Sequence, residues 1–127
     1  MNLEKVLFGF FVLLALTLNF GFVMGDIDNP DHHHVFELFA AIVVSLVATV
    51  FKLGDRSHIG ATLLATSLVA DLQLVAAACI WGYVAHISDA GMTPGGMASI
   101  VSLAGGAMIA NLASVVLLIV ETVNVRR

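Results

Sequence analysis

The chain has 127 residues, 60% hydrophobic and 11% charged, with a mean hydropathy of +1.03. Soluble domains average roughly 45–50% apolar and about 25% charged, and a globule this small cannot hide the excess apolar surface. The five Lys and Arg residues are too few for the basic surface that nucleic acid requires, and the single Cys79 excludes an intrachain disulfide. Composition therefore reads as one integral membrane domain.

Met1–Lys5 is a short polar start, and Val6–Met24 follows as an apolar run with no charged residue. The run is long enough for a span at about 1.5 Å per residue. Val23-Met24-Gly25 offers a signal-peptide cleavage site, but Glu4 is out of place in a basic leader. The run is read as a retained helix over about residues 4–24.

Gly25–Pro30 forms the first loop. The second helix is expected over about residues 30–53, with Asn29 as cap, Pro30 at the first helical position and Asp31 complementing the N-terminus. This start places His32, His33 and His34 on the first turns, with His33 and His34 four and three residues from Glu37 and on its face. Gly54 is a C-terminal stop, and Lys52 in the last turn can snorkel to the interface. Gly54-Asp55-Arg56-Ser57 is a tight turn with Ser57 as N-cap. The third helix is expected over about residues 58–87, which is long for one span, so it tilts or projects. Trp81 and Tyr83 near its far end suit an interfacial aromatic belt. Ser88–Gly96 is a turn, and Thr93-Pro94 repeats the cap-plus-proline start of a fourth helix, about residues 94–123. Arg126-Arg127 close the chain. The expected fold is all-α: a polytopic membrane protein with four transmembrane helices in a small bundle.

Charge sets the expected topology. Lys5, Lys52, Arg56, Arg126 and Arg127 are all the basic residues, and they flank one end of the spans. The opposite loops carry Asp26, Asp28, Asp31 and Asp89 and no Lys or Arg. The positive-inside rule then places both termini in the cytoplasm and the His cluster outside, as in a bacterial-type inner (plasma) membrane.

The fourth helix repeats small residues every four positions: Ala98, Ser102, Gly106, Ala110 and Ser114, with Gly105 alongside. Such a stripe lets helix backbones approach closely, within the bundle or between subunits. Ala41, Ser45 and Thr49 give the second helix a shorter version. The expected partners are the lipid bilayer and either further copies in a homo-oligomer or a larger membrane complex.

Polar residues at membrane depth are costly and mark function by default. Asp71 lies near the middle of the third helix, two residues from Gln73, and Asn111 near the middle of the fourth. The antiparallel helices bring Asp71 and Asn111 to equal depth, where they can meet. Asn19 and Glu37 lie further outward and form a second, shallower layer. These five residues mark a candidate ion pathway. Glu121 lies near the cytoplasmic end, within reach of water. A desolvated carboxylate takes up a proton or a cation, which makes Asp71 a transport site. The structural alternative is interhelical glue, worth about 0.6–2 kcal/mol.

His32, His33, His34 and Glu37, joined by His86, carry the donor atoms of a divalent transition-metal site. The alternative is a titratable surface patch. There is no glycine-rich phosphate loop, cysteine pair or nucleophilic triad, so an enzyme is not expected. Three functions follow: a small oligomeric channel or carrier for cations or protons, an accessory subunit of a larger membrane complex, or a metal-binding membrane protein.

Overall fold

The computed structural model describes residues 3–55 and 57–126; Arg56 and Arg127, two of the five basic residues counted above, lie outside the described residues. Helix α1 is Leu3–Val23, α2 is Val35–Lys52, α3 is His58–Gly82 and α4 is Pro94–Arg126. All four are long and apolar enough to cross a membrane. No strand occurs among the described residues. The chain is an all-helical, integral membrane protein.

The helices form a closed ring: α1 packs on α2, α2 on α3, α3 on α4, and α4 back on α1. The Lys5 ammonium lies 3.5 Å from the Glu121 carboxylate, which fixes the start of α1 beside the last turns of α4. That end also holds the α2–α3 turn. The opposite end holds the loop between α1 and α2 and the turn between α3 and α4.

Inward positions recur at alternating three- and four-residue steps, the spacing that keeps one helix face on a bundle core. On α3 they are Gly60, Leu63, Ser67, Ala70, Asp71, Leu74 and Ala77. On α4 they include Met97, Ile100, Ala104, Ala107, Asn111 and Ser114. The expected four-residue stripe differs from this face. A strict four-residue step advances about 40° too far on a helix of 3.6 residues per turn. The stripe therefore winds around α4: Ser102 is exposed, Ala98 and Gly106 are half-buried, and only Ala110 and Ser114 reach the core. A side chain at Gly105 would meet nothing within 4 Å, whereas one at Gly106 would lie 2.7 Å from Gln73 Oε1.

The second helix also starts differently from the expectation. Asn29 does cap, accepting from the Asp31 N–H at 2.9 Å, but it caps only a 3-10 turn, Pro30–His32. His33 (φ −127°, ψ 116°) and His34 (φ −93°, ψ 125°) are extended, and α2 begins at Val35. The histidines and Glu37 therefore do not share a helical face. The His33 ring is bonded back to the α1 end and loop, which draws the chain out of the helix. Gly25, at φ +100°, lets the loop turn close beneath His32. The third helix ends as a wider π turn, Tyr83–Ile87, closed by the Ser88 N–H on the Tyr83 carbonyl at 2.8 Å.

The buried apolar side chains fall into two clusters. One joins Phe22, Leu38, Leu74, Met97 and Ile100 at the loop end; the other joins Phe8, Val12, Ala48 and Leu63 at the opposite end. Along α1 Asn19 lies between them, along α2 Ser45, along α3 Ser67, and along α4 Asn111 and Ser114. A polar layer thus divides the core.

Candidate functional site

Asp71 sits in this layer, 7% exposed. Its carboxyl turns to α2. Ser45 Oγ donates to Oδ1 at 2.6 Å, and Thr49 Oγ1 lies in hydrogen-bonding contact with Oδ2. Ser45 and Thr49 are one helical turn apart, so both hydroxyls reach one carboxyl. Thr49 Oγ1 also lies 3.0 Å from the Ser45 carbonyl. A hydroxyl has one proton. With Asp71 ionised, Thr49 must divide that proton between the carboxylate and the carbonyl. With a proton on Oδ2, Asp71 donates to Thr49 and Thr49 donates to Ser45, and every group is satisfied. Rotation of one hydroxyl accommodates both states.

The expected Asp71–Asn111 contact does not form. Asn111 is 1% exposed and its Nδ2 has no hydrogen-bond partner. Asp71 finds its donors on α2, where the sequence showed only small packing residues. Gln73 is half-buried, pressed against Gly106, with Oε1 unpartnered. Asn19 is fully buried and neither its Nδ2 nor its Oδ1 has a partner. Asn19 and Glu37 therefore do not bond into a shallower layer. Glu37 instead packs its carboxyl against Gly21, where a side chain would collide with it. Ser67 Oγ, also buried, lacks a partner. Thr66 and Ser114 hydrogen-bond between α3 and α4, a pair that sequence reasoning missed. The only sequence signal for the Asp71 partners was the Ser45–Thr49 spacing of hydroxyls in an otherwise apolar helix. Glu121 does not stand in water: it is 8% exposed and paired with Lys5.

The metal expectation needs correction. Both ring nitrogens of His33 face backbone carbonyls, Nδ1 that of Phe22 and Nε2 that of Asp26 at 2.7 Å, leaving neither for a metal. His32 Nδ1 accepts from the Asp26 N–H at 2.8 Å. His34 and His86 point out as exposed residues. Among the described residues no group of three or more His, Cys, Asp or Glu stands together in a metal-holding arrangement. The helical face that would have gathered His33, His34 and Glu37 is absent because the helix starts later.

Outside the membrane spans, Asp55 accepts from the Ser57 hydroxyl at 2.7 Å and the Ser57 N–H at 2.9 Å. Those bonds, aided by the Lys52 ammonium, hold its carboxyl below the usual carboxylate range. The Lys52 ammonium itself lies 3.5 Å from Asp55 and over the Phe8 ring, 4.5 Å from its centre.

No curated protein and no solved structure matches the chain. A model of a family of unknown function, DUF6394, matches residues 32–122, which covers Asp71, both of its hydroxyl partners and Asn111 but not Asn19. With more than half of its length matched, the chain belongs to the DUF6394 family.

Proposed function

We propose that this membrane protein carries protons, and that Asp71 is the group that takes up and releases them. The observation that supports the reading is the Asp71–Ser45–Thr49 arrangement. A carboxyl in hydrocarbon is costly when charged, and here its two hydroxyl neighbours can rearrange their protons to suit either form. Hydroxyls and carboxyls pass protons without an open pore. This matters because the side chains at this level are packed together and leave a four-helix core. Asn19, Gln73, Ser67 and Asn111 have free polar atoms in the same interior, and these extend the relay above and below Asp71. The distribution of Lys and Arg supports an orientation in which the Lys5, Lys52 and Glu121 end faces the cytoplasm.

A role as subunit of an assembly is favoured by a groove of 440 Å³ between α1 and α4, lined by Leu16, Thr17, Phe20, Met108, Ile109 and Leu112. The two readings part on one variant. Asp71→Asn keeps shape and hydrogen bonding but cannot ionise. Reconstituted in vesicles with an internal pH dye, wild type should dissipate an imposed proton gradient and Asp71→Asn should not, while both melt alike. Equal proton flux through both proteins rejects the carrier and leaves the assembly role.

A further inference from the structure

His33 is a buried titratable group at the loop end of the bundle, and the Asp71 reading does not use it. It is 2% exposed. Its ring lies 5.6 Å from the Phe22 ring, which lies 6.2 Å from Trp81 of α3. Its two nitrogens face the carbonyls of Phe22, in the last turn of α1, and of Asp26, in the loop. A carbonyl oxygen only accepts. Neutral imidazole carries one N–H, so it can serve one of these carbonyls and not both. The observed arrangement needs the imidazolium, which donates twice. The carbonyl end of a helix favours a cation, and Phe22 O is one of the terminal carbonyls that α1 leaves without a helical partner.

We propose that His33 is a pH-operated clasp: as imidazolium it ties the end of α1 and the following loop to the start of α2, and on losing a ring proton it releases one of its two carbonyls.

The neighbouring residue makes the opposite demand. His32 Nδ1 accepts from the Asp26 N–H, so in this arrangement Nδ1 carries no proton. The peptide groups of Asp26 are thus gripped from both sides, the N–H by an unprotonated His32 Nδ1 and the carbonyl by a protonated His33 Nε2. The ring centres are 6.4 Å apart. Raising the pH removes the His33 grip, and lowering it far enough removes the His32 grip. The other titratable groups on the elements that meet here are Asp26, Asp28 and Asp31 of the loop, His34 and Glu37 at the start of α2, Tyr83 and His86 of the π turn, and Asp89 beyond it. None of these carboxylates forms an ion pair with His33, whose bonds go to the two backbone carbonyls. His32 would repel it when charged, and its acceptor role keeps it neutral while the clasp is closed. The last turn of α1 carries no titratable side chain.

The chain's single tryptophan reports on the clasp, because Trp81 touches Phe22. In detergent-solubilised full-length protein, Trp81 emission should change in one step as pH rises from about 5 to about 8, the range of histidine titration. His86→Gln, which removes the nearest histidine on the same chain segment, should keep the step. His33→Gln should lose it, and Asp71→Asn should keep it, so the clasp stands or falls separately from the proton-carrier reading. Ring-nitrogen NMR of histidine-labelled wild type gives the second measurement, needed if His33→Gln does not fold. His33 should show two protonated nitrogens on the acid side of the step and one on the alkaline side. A step that survives in folded His33→Gln, no step in wild type, or a His33 ring with a single proton throughout overturns the proposal.

Discussion

Asp71 on α3 and Asn19 on α1 are both buried polar residues in one small bundle, and they are bonded in opposite ways. Asp71 has hydroxyl neighbours on both oxygens. Asn19 has none on either amide atom. Hydrocarbon offers no water to make up the difference. A buried polar group left without a partner costs about 1–3 kcal/mol, whereas a satisfied one is close to neutral or helpful. The bundle therefore spends stability at Asn19, and again at Asn111 Nδ2, but not at Asp71. Depth in the membrane does not tell the two kinds apart; the neighbouring helix does. The polar layer is thus half structural node and half open valence, and a proton relay needs both.

The largest expected effect comes from forcing the α3–α4 seam apart, because the layer exists only while the helices stay close. Gly106→Leu places a branched side chain where a Cβ already meets the flexible amide end of Gln73 at 2.7 Å; Gln73 can swing aside from a methyl, but a full Leu also wedges the two helices. Overpacking costs about 1–3 kcal/mol and sometimes more. The variant should melt well below wild type or fail to run as a discrete species in mild detergent. Gly105→Ala, one residue away with open space around it, should melt at or slightly above wild type. If the two variants behave alike, the close approach at Gly106 is not what holds the layer together.

The next effect tests the comparison directly by making one substitution at both sites. Leu keeps the branched shape of Asp and Asn but bonds to nothing. Asp71→Leu removes the carboxyl that joins α3 to Ser45 and Thr49, and should destabilise by about 1–2 kcal/mol, the range of interhelical hydrogen bonds. Asn19→Leu removes two unpartnered groups and should leave thermal stability unchanged or raise it by about 1 kcal/mol. Equal losses at both sites would mean that Asn19 has a partner in the working protein, an internal water or a second chain.

The contrast explains what was legible in the sequence. Four spans, their order and the depth of Asp71 and Asn111 follow from hydropathy and a fixed rise per residue. Partners do not, because they depend on rotation about each helix axis. The four-residue repeat winds around α4, so Ala110 and Ser114 pack in the bundle while Ser102 is exposed, where only a contact between subunits would use it. Asp71 and Asn111 share a depth but not a bond. The His cluster misled for a different reason. Asn29 and Pro30 are sound helix-start signals, yet they started a 3-10 turn, and the His33 ring then found backbone carbonyls eleven and seven residues upstream. Nothing local in His32-His33-His34 announces such a contact. Ser45 and Thr49 were visible, but a hydroxyl in an apolar helix can equally bond its own backbone, as Thr49 also does.

The smallest effect concerns an acid gripped by a hydroxyl in the same manner but within reach of water. Asp55 is held by the Ser57 hydroxyl and N–H, with the Lys52 ammonium beyond them. Its carboxyl lies below the usual carboxylate range because these donors favour the ionised form, the Ser57 hydroxyl most of all. The sign follows from linkage. A group whose folded value is depressed contributes stability fully above its unfolded value, and that contribution disappears as pH falls through the folded value. The window therefore lies below about pH 4, where a free aspartate would already be protonating. Asp55→Asn should melt close to wild type at neutral pH, since the amide oxygen still accepts from Ser57. Below about pH 4 wild type should lose more melting temperature than the variant, by a small margin, because the Asp55 side chain is 24% exposed and solvent weakens such contacts. An acid limb that falls as steeply in Asp55→Asn as in wild type would show that the Ser57 donors and the Lys52 ammonium contribute nothing to the ionised carboxylate in the folded protein.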